Sequence, residues 1–167
     1  SIILLLSLSV LNLIAQPQLA RPVKWKIGSE DLGNNRYNLT FEATIDPGWY
    51  LYATELPPGG PIPTSFNYEE LEGLKVTGDL KSNVEPKVEY DQIFEMDVGY
   101  FARYVEFTQE VELTEGATGG STAGYIEYQA CYEDKCIFLE EAFSIAIGDP
   151  TPTTASIEMV EPIPLAP

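Results

Sequence analysis

The sequence contains no histidine, only two cysteines, and only nine lysine and arginine residues against 26 aspartate and glutamate residues. The lack of histidine removes the most common general base and transition-metal ligand. A serine–histidine or cysteine–histidine mechanism is therefore excluded, and neither a metal nor a cofactor is expected. The net charge of −17 would repel nucleic acid and an anionic membrane surface. Such a charge favours solubility and would steer basic partners.

Long apolar runs are also scarce, and the longest opens the sequence. Residues 1–15 carry no charge, but they are too few for a membrane span, which needs about 20 residues. The run is typical of the hydrophobic region of a signal peptide, and Ala15 and Ala20 offer small residues for cleavage. We expect residues 1–20 to be a signal peptide that lacks its basic start, and the domain to be exported. The alternative is an uncleaved anchor that tethers it to the membrane.

The rest of the chain has the pattern of a β-protein. Apolar and polar residues alternate in many short stretches, and ten tyrosines and seven phenylalanines favour strands over helices. Asn34-Asn35, Asp46-Pro47-Gly48 and the Pro57–Pro61 loop interrupt these stretches. Strands at this spacing predict an all-β, immunoglobulin-like β-sandwich.

This domain is expected to occupy residues 21–149. Within it, residues 81–97 are acidic and are predicted to be irregular. Residues 150–167 are rich in proline and threonine and are predicted to form a tail or linker.

The two cysteines lie between two predicted strands, Tyr125–Ala130 and Ile137–Ile147. If residues 132–135 form a four-residue loop, Cys131 and Cys136 face each other at a distance suited to a disulfide. Such a disulfide is a weak brace, because a six-residue ring contributes only about 2 kcal/mol against about 4.7 for a hundred-residue ring. The spacing leaves two interpretations open: a redox-active pair, or a structural bridge in a non-enzymatic, immunoglobulin-like binding module.

The residues between the cysteines affect their reactivity. Glu133 and Asp134 disfavour a thiolate, whereas Lys135 favours it. The pattern predicts thiols that are not unusually acidic and that exchange with a partner only after docking aligns the sulfur atoms.

Four segments together resemble the family of N-terminal periplasmic domains of the thiol:disulfide interchange protein DsbD, in part the versions from Bacteroidetes-like bacteria. In chain order they are Asp46–Tyr52, Gly59–Phe66, Tyr90-Asp91-x-x-Phe94 with Val98 and Tyr100, and Tyr128–Cys131 with Cys136.

The resemblance implies an immunoglobulin-like sandwich that carries exposed cysteines at one end. It also implies a protein-disulfide reductase component of the periplasm. Such a domain would take reducing equivalents from a membrane-embedded electron-donor domain. It would pass them to oxidised exported proteins, such as disulfide isomerases or the thioredoxin-like proteins of cytochrome c biogenesis.

The resemblance further implies roles for individual residues. Cys131 and Cys136 would be the redox pair, with Cys136 forming the mixed disulfide with partners. Tyr50 and Tyr52 would flank this pair, although tyrosines in a β-sandwich more often serve core packing.

A loop near residues 90–97 would cover the pair, with Phe94 shielding the sulfur atoms and Asp91 nearby. Two departures from the family pattern affect this region. Phe94 aligns only with one inserted residue, and Ile137-Phe138-Leu139 replaces the usual Pro-Pro after the second cysteine.

Overall fold

The computed structural model of the chain describes residues 20–148, which form eleven strands. In chain order the strands are β1 (Val23–Gly33), β2 (Arg36–Ile45), β3 (Tyr50–Tyr52), β4 (Ser65–Glu72), β5 (Leu74–Val76), β6 (Lys81–Ser82), β7 (Lys87–Asp91), β8 (Met96–Phe101), β9 (Tyr104–Leu113), β10 (Gly119–Tyr132) and β11 (Lys135–Gly148). The predicted signal peptide at residues 1–20 lies outside these residues except for Ala20, and the predicted tail lies outside them entirely.

The strands form two antiparallel sheets. The first has the order β1-β2-β9-β5, with β6 also pairing with β9. The second has the order β11-β10-β3-β8-β7, with β4 also pairing with β10. The prediction of an all-β, immunoglobulin-like sandwich is confirmed. Within residues 20–148, no helix is long and apolar enough to cross a membrane.

Aromatic side chains fill the space between the two sheets. Phe41 of β2 and Phe107 of β9 are fully buried, and Phe66 of β4 packs against both, with ring centroids 4.7 and 5.2 Å away. Trp25 of β1 packs 5.5 Å from the ring of buried Tyr128 of β10. Large rings from both sheets thus form one continuous core, which holds the sheets face to face.

The turn predicted at Asn34-Asn35 joins β1 to β2, and both asparagines have positive φ angles of 55° and 61°. This is the backbone that a two-residue hairpin requires and that asparagine tolerates best after glycine. The register places Gly33 opposite Arg36 across the turn.

The prediction that residues 81–97 are irregular is wrong. This segment contains β6, β7 and the start of β8. The strand β7 lies at the edge of its sheet, and four of its five residues are exposed. The residues of β7 do alternate between polar and apolar types, and the acidic composition of the whole segment obscured this short pattern.

Candidate functional site

The two cysteines lie opposite each other in the β10–β11 hairpin and form a disulfide. Their Cα atoms are 4.1 Å apart. The loop is shorter than the four residues predicted, because Tyr132 and Lys135 still pair and only Glu133 and Asp134 remain in the turn. Beyond the second cysteine, β11 continues as a regular strand to Gly148, so the missing Pro-Pro leaves no irregularity there.

The disulfide lies on the outer face of its sheet. Ala130 and Leu51 point into the main core, whereas their neighbours Cys131 and Tyr52 belong to a second, smaller apolar cluster. Successive residues of a strand point to opposite faces, so this second cluster lies on the side away from the other sheet. All four residues are fully buried, which means that both faces of the sheet are covered at this point.

The two cysteines differ in exposure. Cys131 is fully buried, and Cys136 is partly exposed. The expectation that both cysteines are exposed is therefore wrong for Cys131. The reason is the cover on the outer face, which no pattern in the strand itself reveals. A reagent from solvent reaches the bond on the side of Cys136.

A buried polar pair lies directly against Cys131. The Tyr52 hydroxyl donates a hydrogen bond to Oδ2 of Asp91 over 2.6 Å, and the same hydroxyl oxygen lies 3.6 Å from Sγ of Cys131. Burial, followed by the bond to the Asp91 carboxylate, raises the pKa of Tyr52 above its ordinary value. The phenol thus stays protonated at neutral pH, with its hydrogen directed at Asp91 and its oxygen beside the buried sulfur atom.

Asp91 also fixes the loop that covers the cluster. Residues 92–95 form the tip of the β7–β8 hairpin, and Oδ1 of Asp91 accepts hydrogen bonds from the backbone N–H groups of Ile93 and Phe94 over 2.8 and 3.2 Å. Phe94 extends from this tip into the outer cluster, with its ring centroid 6.1 Å from that of Tyr52. One carboxylate therefore connects the loop to the tyrosine that contacts Cys131.

Tyr50 of β3 pairs directly with Cys131 of the neighbouring strand β10. Its ring packs 5.5 Å from Tyr52 and 5.2 Å from Tyr100, and burial raises its pKa above the ordinary value. The structure thus brings all six predicted site residues into one region: the two cysteines, Tyr50, Tyr52, Asp91 and Phe94.

The sequence analysis assigned no site role to several residues, although Val98 and Gln129 lie in segments that carry the family resemblance. Val98 and Met96 pack in the outer cluster, and both have the same parity along β8 as Tyr100. Gln129 lies two residues before Cys131 on the same face of β10, with its Nε2 4.0 Å from Sγ of Cys131. Its Oε1 accepts the backbone N–H of Ile62 over 2.8 Å and so holds the proline-rich loop beside the disulfide. The alternation of side chains along each strand was the sequence signal that could have placed these residues on the same face of the sheet as the site.

In the part of the chain that the structure describes, no group of three or more histidine, cysteine or carboxylate side chains is arranged to hold a metal ion. The chemistry available at the site is that of the disulfide and its hydroxyl and carboxylate neighbours.

Fold and site together define a β-sandwich domain with one short-range disulfide under an aromatic cover. Residues 16–146 match the family described as the N-terminal domain of the thiol:disulfide interchange protein DsbD, and the chain belongs to this family. The predicted family is confirmed. No curated protein matches the chain.

Two solved structures are similar to this chain. The N-terminal periplasmic domain of ScsB from Proteus mirabilis has 17% sequence identity and a TM-score of 0.49 over 81% of this chain and 52% of its own. The reduced DsbD N-terminal domain of Neisseria meningitidis has 11% identity and a TM-score of 0.48 over 78% of this chain and 87% of its own. This chain thus spans about half the length of the ScsB chain.

Proposed function

We propose that this domain carries reducing equivalents between proteins of the bacterial cell envelope by reversible exchange at the Cys131–Cys136 disulfide. The observation that carries the proposal is the unequal burial of the two cysteine residues, with Cys136 partly exposed and Cys131 buried against Tyr52. A structural brace needs no accessible sulfur, whereas exchange with a protein partner requires one. Membership of the DsbD N-terminal family supports the same chemistry.

Loading of the domain starts with a thiolate of a reduced donor. This thiolate attacks Sγ of Cys136, the bond between the two cysteines breaks, and Cys131 leaves as a thiolate that takes up a proton. Once protonated, the Cys131 thiol can donate a hydrogen bond to the Tyr52 hydroxyl oxygen, which lies 3.6 Å from Sγ of Cys131. The donor's second thiolate then attacks its own sulfur in the mixed disulfide and releases Cys136. The donor ends as a disulfide and the domain as a dithiol.

Unloading reverses these steps. The Cys136 thiolate attacks the disulfide of an oxidised exported protein, and that protein's second cysteine leaves as a thiolate. The Cys131 thiolate then resolves the mixed disulfide. The exported protein gains two thiols, the domain regains its disulfide, and no cofactor takes part.

The tip of the β7–β8 hairpin acts in this proposal as a cap. Phe94 packs in the cluster that contains both cysteines, and the Asp91 carboxylate holds the loop backbone. Opening of this loop on docking would expose the sulfur atoms to the partner and limit exchange between encounters.

The partners proposed are a membrane-embedded electron-donor domain on one side and envelope thioredoxin-like proteins or disulfide isomerases on the other, including those of cytochrome c biogenesis. The family supports an exported, periplasmic location. The same proposal includes a signal peptide at residues 1–20 and a domain that occupies residues 21–149. Tethering to the membrane is the alternative in which the first segment stays uncleaved.

Equilibration in glutathione buffers of graded potential, followed by thiol trapping, tests the function. We expect a midpoint between roughly −180 and −270 mV, with the far-UV and near-UV circular dichroism of the sandwich preserved in both states. A bond that stays oxidised in every buffer, with loss of stability after forced reduction, would instead identify the structural bridge of an immunoglobulin-like binding module.

A further inference from the structure

A groove of about 520 Å³ lies beside the disulfide. Tyr50, Val98 and Tyr100 belong to the outer face of the sheet, Tyr90 and Ile93 come from the β7–β8 hairpin, and the turn residues Glu133 and Asp134 complete the lining. The groove is continuous with the redox site, because Tyr50 is the strand partner of Cys131 and the turn residues lie between the two cysteines.

The groove combines aromatic walls with carboxylates. Glu89, Asp91, Glu133 and Asp134 all contribute to its lining, and no lysine or arginine does. Asp91 is bound to Tyr52, whereas the side chains of the other three are exposed. Five ion pairs occur within residues 20–148, and none of them includes a carboxylate of the groove.

We propose that this groove receives a lysine or arginine side chain that the exchange partner presents next to its reactive cysteine. The inference rests on the proposed function and specifies the chemistry of the partner. Tyrosine faces accept the aliphatic stem and the cationic head of such a side chain, and the surrounding carboxylates attract its charge. An acidic side chain at the same position meets like charges and is rejected.

The position of the groove gives this contact a kinetic effect. Glu133 and Asp134 are three residues or fewer from both cysteines, so a cation bound there holds the partner's cysteine close to the disulfide. Attraction over this distance speeds the encounter at low ionic strength and weakens once the screening length falls to a few ångströms at high salt. The groove would thus select among partners by charge before any covalent bond forms.

The test follows oxidation of the reduced domain by single-cysteine peptides, each blocked as a mixed disulfide with 2-mercaptoethanol. Two arginines, two glutamates or two serines flank the cysteine in the three peptides. In each reaction the domain's dithiol becomes the Cys131–Cys136 disulfide, and the blocked peptide yields a peptide thiol and 2-mercaptoethanol. Acid quenching and mass analysis give the second-order rate constants at low and at high salt.

We expect the arginine peptide to react about tenfold or more faster than the glutamate peptide at low salt, with most of this ratio lost at high salt. The triple variant Glu89→Gln, Glu133→Gln, Asp134→Asn should reduce the low-salt ratio to about threefold or less. A matched variant neutralises three exposed carboxylates at the far end of β4, with Glu69→Gln, Glu70→Gln and Glu72→Gln. It changes the net charge equally and should keep the wild-type ratio.

The outcomes separate the groove from the function. If the serine peptide reacts but the arginine-to-glutamate ratio is near one, or falls equally in both triple variants, the groove proposal is overturned and the exchange function stands. If no peptide oxidises the reduced domain, the exchange function is overturned and the groove proposal with it.

Discussion

The two sulfur atoms of the disulfide have the same chemistry but different surroundings. Cys131 lies under Tyr52 and out of contact with solvent, and Cys136 is partly exposed. In thiol–disulfide exchange the attacked sulfur must be reachable in line with the breaking bond. In the proposed mechanism, burial therefore sets the order of events, with Cys136 meeting the partner and Cys131 resolving the mixed disulfide.

This asymmetry predicts different reactivities for the two single-cysteine variants. Cys131→Ser leaves the partly exposed Cys136, which should react with N-ethylmaleimide about tenfold or more faster than the buried thiol left by Cys136→Ser, because a buried thiol reacts only after local opening. Rates in the folded proteins give the comparison, and rates in denaturant, where both thiols are exposed, provide the control. Equal rates in the folded state would contradict the assignment of Cys136.

The cap predicts a second effect at a single side chain. Phe94→Ala removes a ring packed in the cluster of the disulfide, and a loss of about 1.4 kcal/mol of closing free energy would raise the open population about tenfold. The reduction rate of the disulfide by dithiothreitol should rise accordingly. Val88→Ala, on strand β7 of the same hairpin at a side chain that is 66% exposed, is the matched control and should leave the rate unchanged. If both variants react at the wild-type rate, Phe94 is not a cap.

At the scale of single residues, the sequence predicted the site best where the chemistry depends on residue type. The two cysteines stand out because the chain has no others, and the family resemblance placed Tyr52 and Phe94 near them. Gln129 was missed, since a glutamine that joins a loop to a strand has no distinctive local pattern. Its role depends on the path of a loop 67 residues earlier in the chain.

At the scale of elements, the β10–β11 hairpin is the main support of the site. Each strand has fourteen residues, and the pairing runs without a register shift from Gly119 opposite Gly148 to the turn. The disulfide closes only the last part of this long ladder. The register is thus fixed by the strands, and reduction of the bond should leave the cysteines facing each other.

A contact between β10 and β4 predicts a large cost for one small substitution. At Gly124, next to a register irregularity, an added Cβ would overlap with the carbonyl oxygen of Asn67. Because the clash is with backbone, Gly124→Ala should lower the free energy of unfolding by about 3 kcal/mol.

The strand glycine Gly28 provides the control for this substitution. An added Cβ there would lie 3.4 Å from Oγ1 of Thr40, an ordinary contact, so Gly28→Ala should change stability by no more than about 0.5 kcal/mol. Urea unfolding of the two variants measures both values. A similar effect of the two substitutions would show that the β4–β10 contact is not tightly packed.

The hairpins also show where prediction of elements fails. The long strands β2, β9 and β10 alternate clearly because one face meets the core, and their positions could be predicted. The cap loop belongs to a hairpin that was predicted to be irregular, because the alternation in β7 covers only five residues of an acidic segment. The part of the site that moves in the proposed mechanism is thus the part that the pattern describes least well.

At the scale of the whole molecule, buried tyrosines predict a loss of stability at alkaline pH. Burial raises the pKa values of Tyr52, Tyr68 and Tyr128. In the unfolded chain tyrosine loses its proton near pH 10, while these three keep theirs in the folded protein, so the folded state binds more protons. Their contribution is fully present below about pH 10, and the free energy of unfolding should then fall by up to about 1.4 kcal/mol per pH unit for each tyrosine.

Urea unfolding between pH 8 and 11 measures this slope, and Tyr68→Phe isolates one contribution to it. Among the residues described, the Tyr68 hydroxyl is buried with no hydrogen-bond partner, so its removal should not lower stability at pH 7. The variant should, however, lose stability less steeply above pH 10. An unchanged slope would mean that Tyr68 ionises equally in both states.

Alternate residues of strand β10 serve two different parts of the protein, the core and the disulfide site. Ile126, Tyr128 and Ala130 pack in the core that holds the sandwich together, and Cys131 faces the opposite side with Gln129. In the proposed mechanism, substitutions at the odd-numbered positions near Cys131 would therefore alter the reactivity of the disulfide, while the even-numbered positions that pack in the core stay the same. One sheet thus supports the core of the sandwich on one face and the disulfide on the other, and substitutions on one face need not disturb the other.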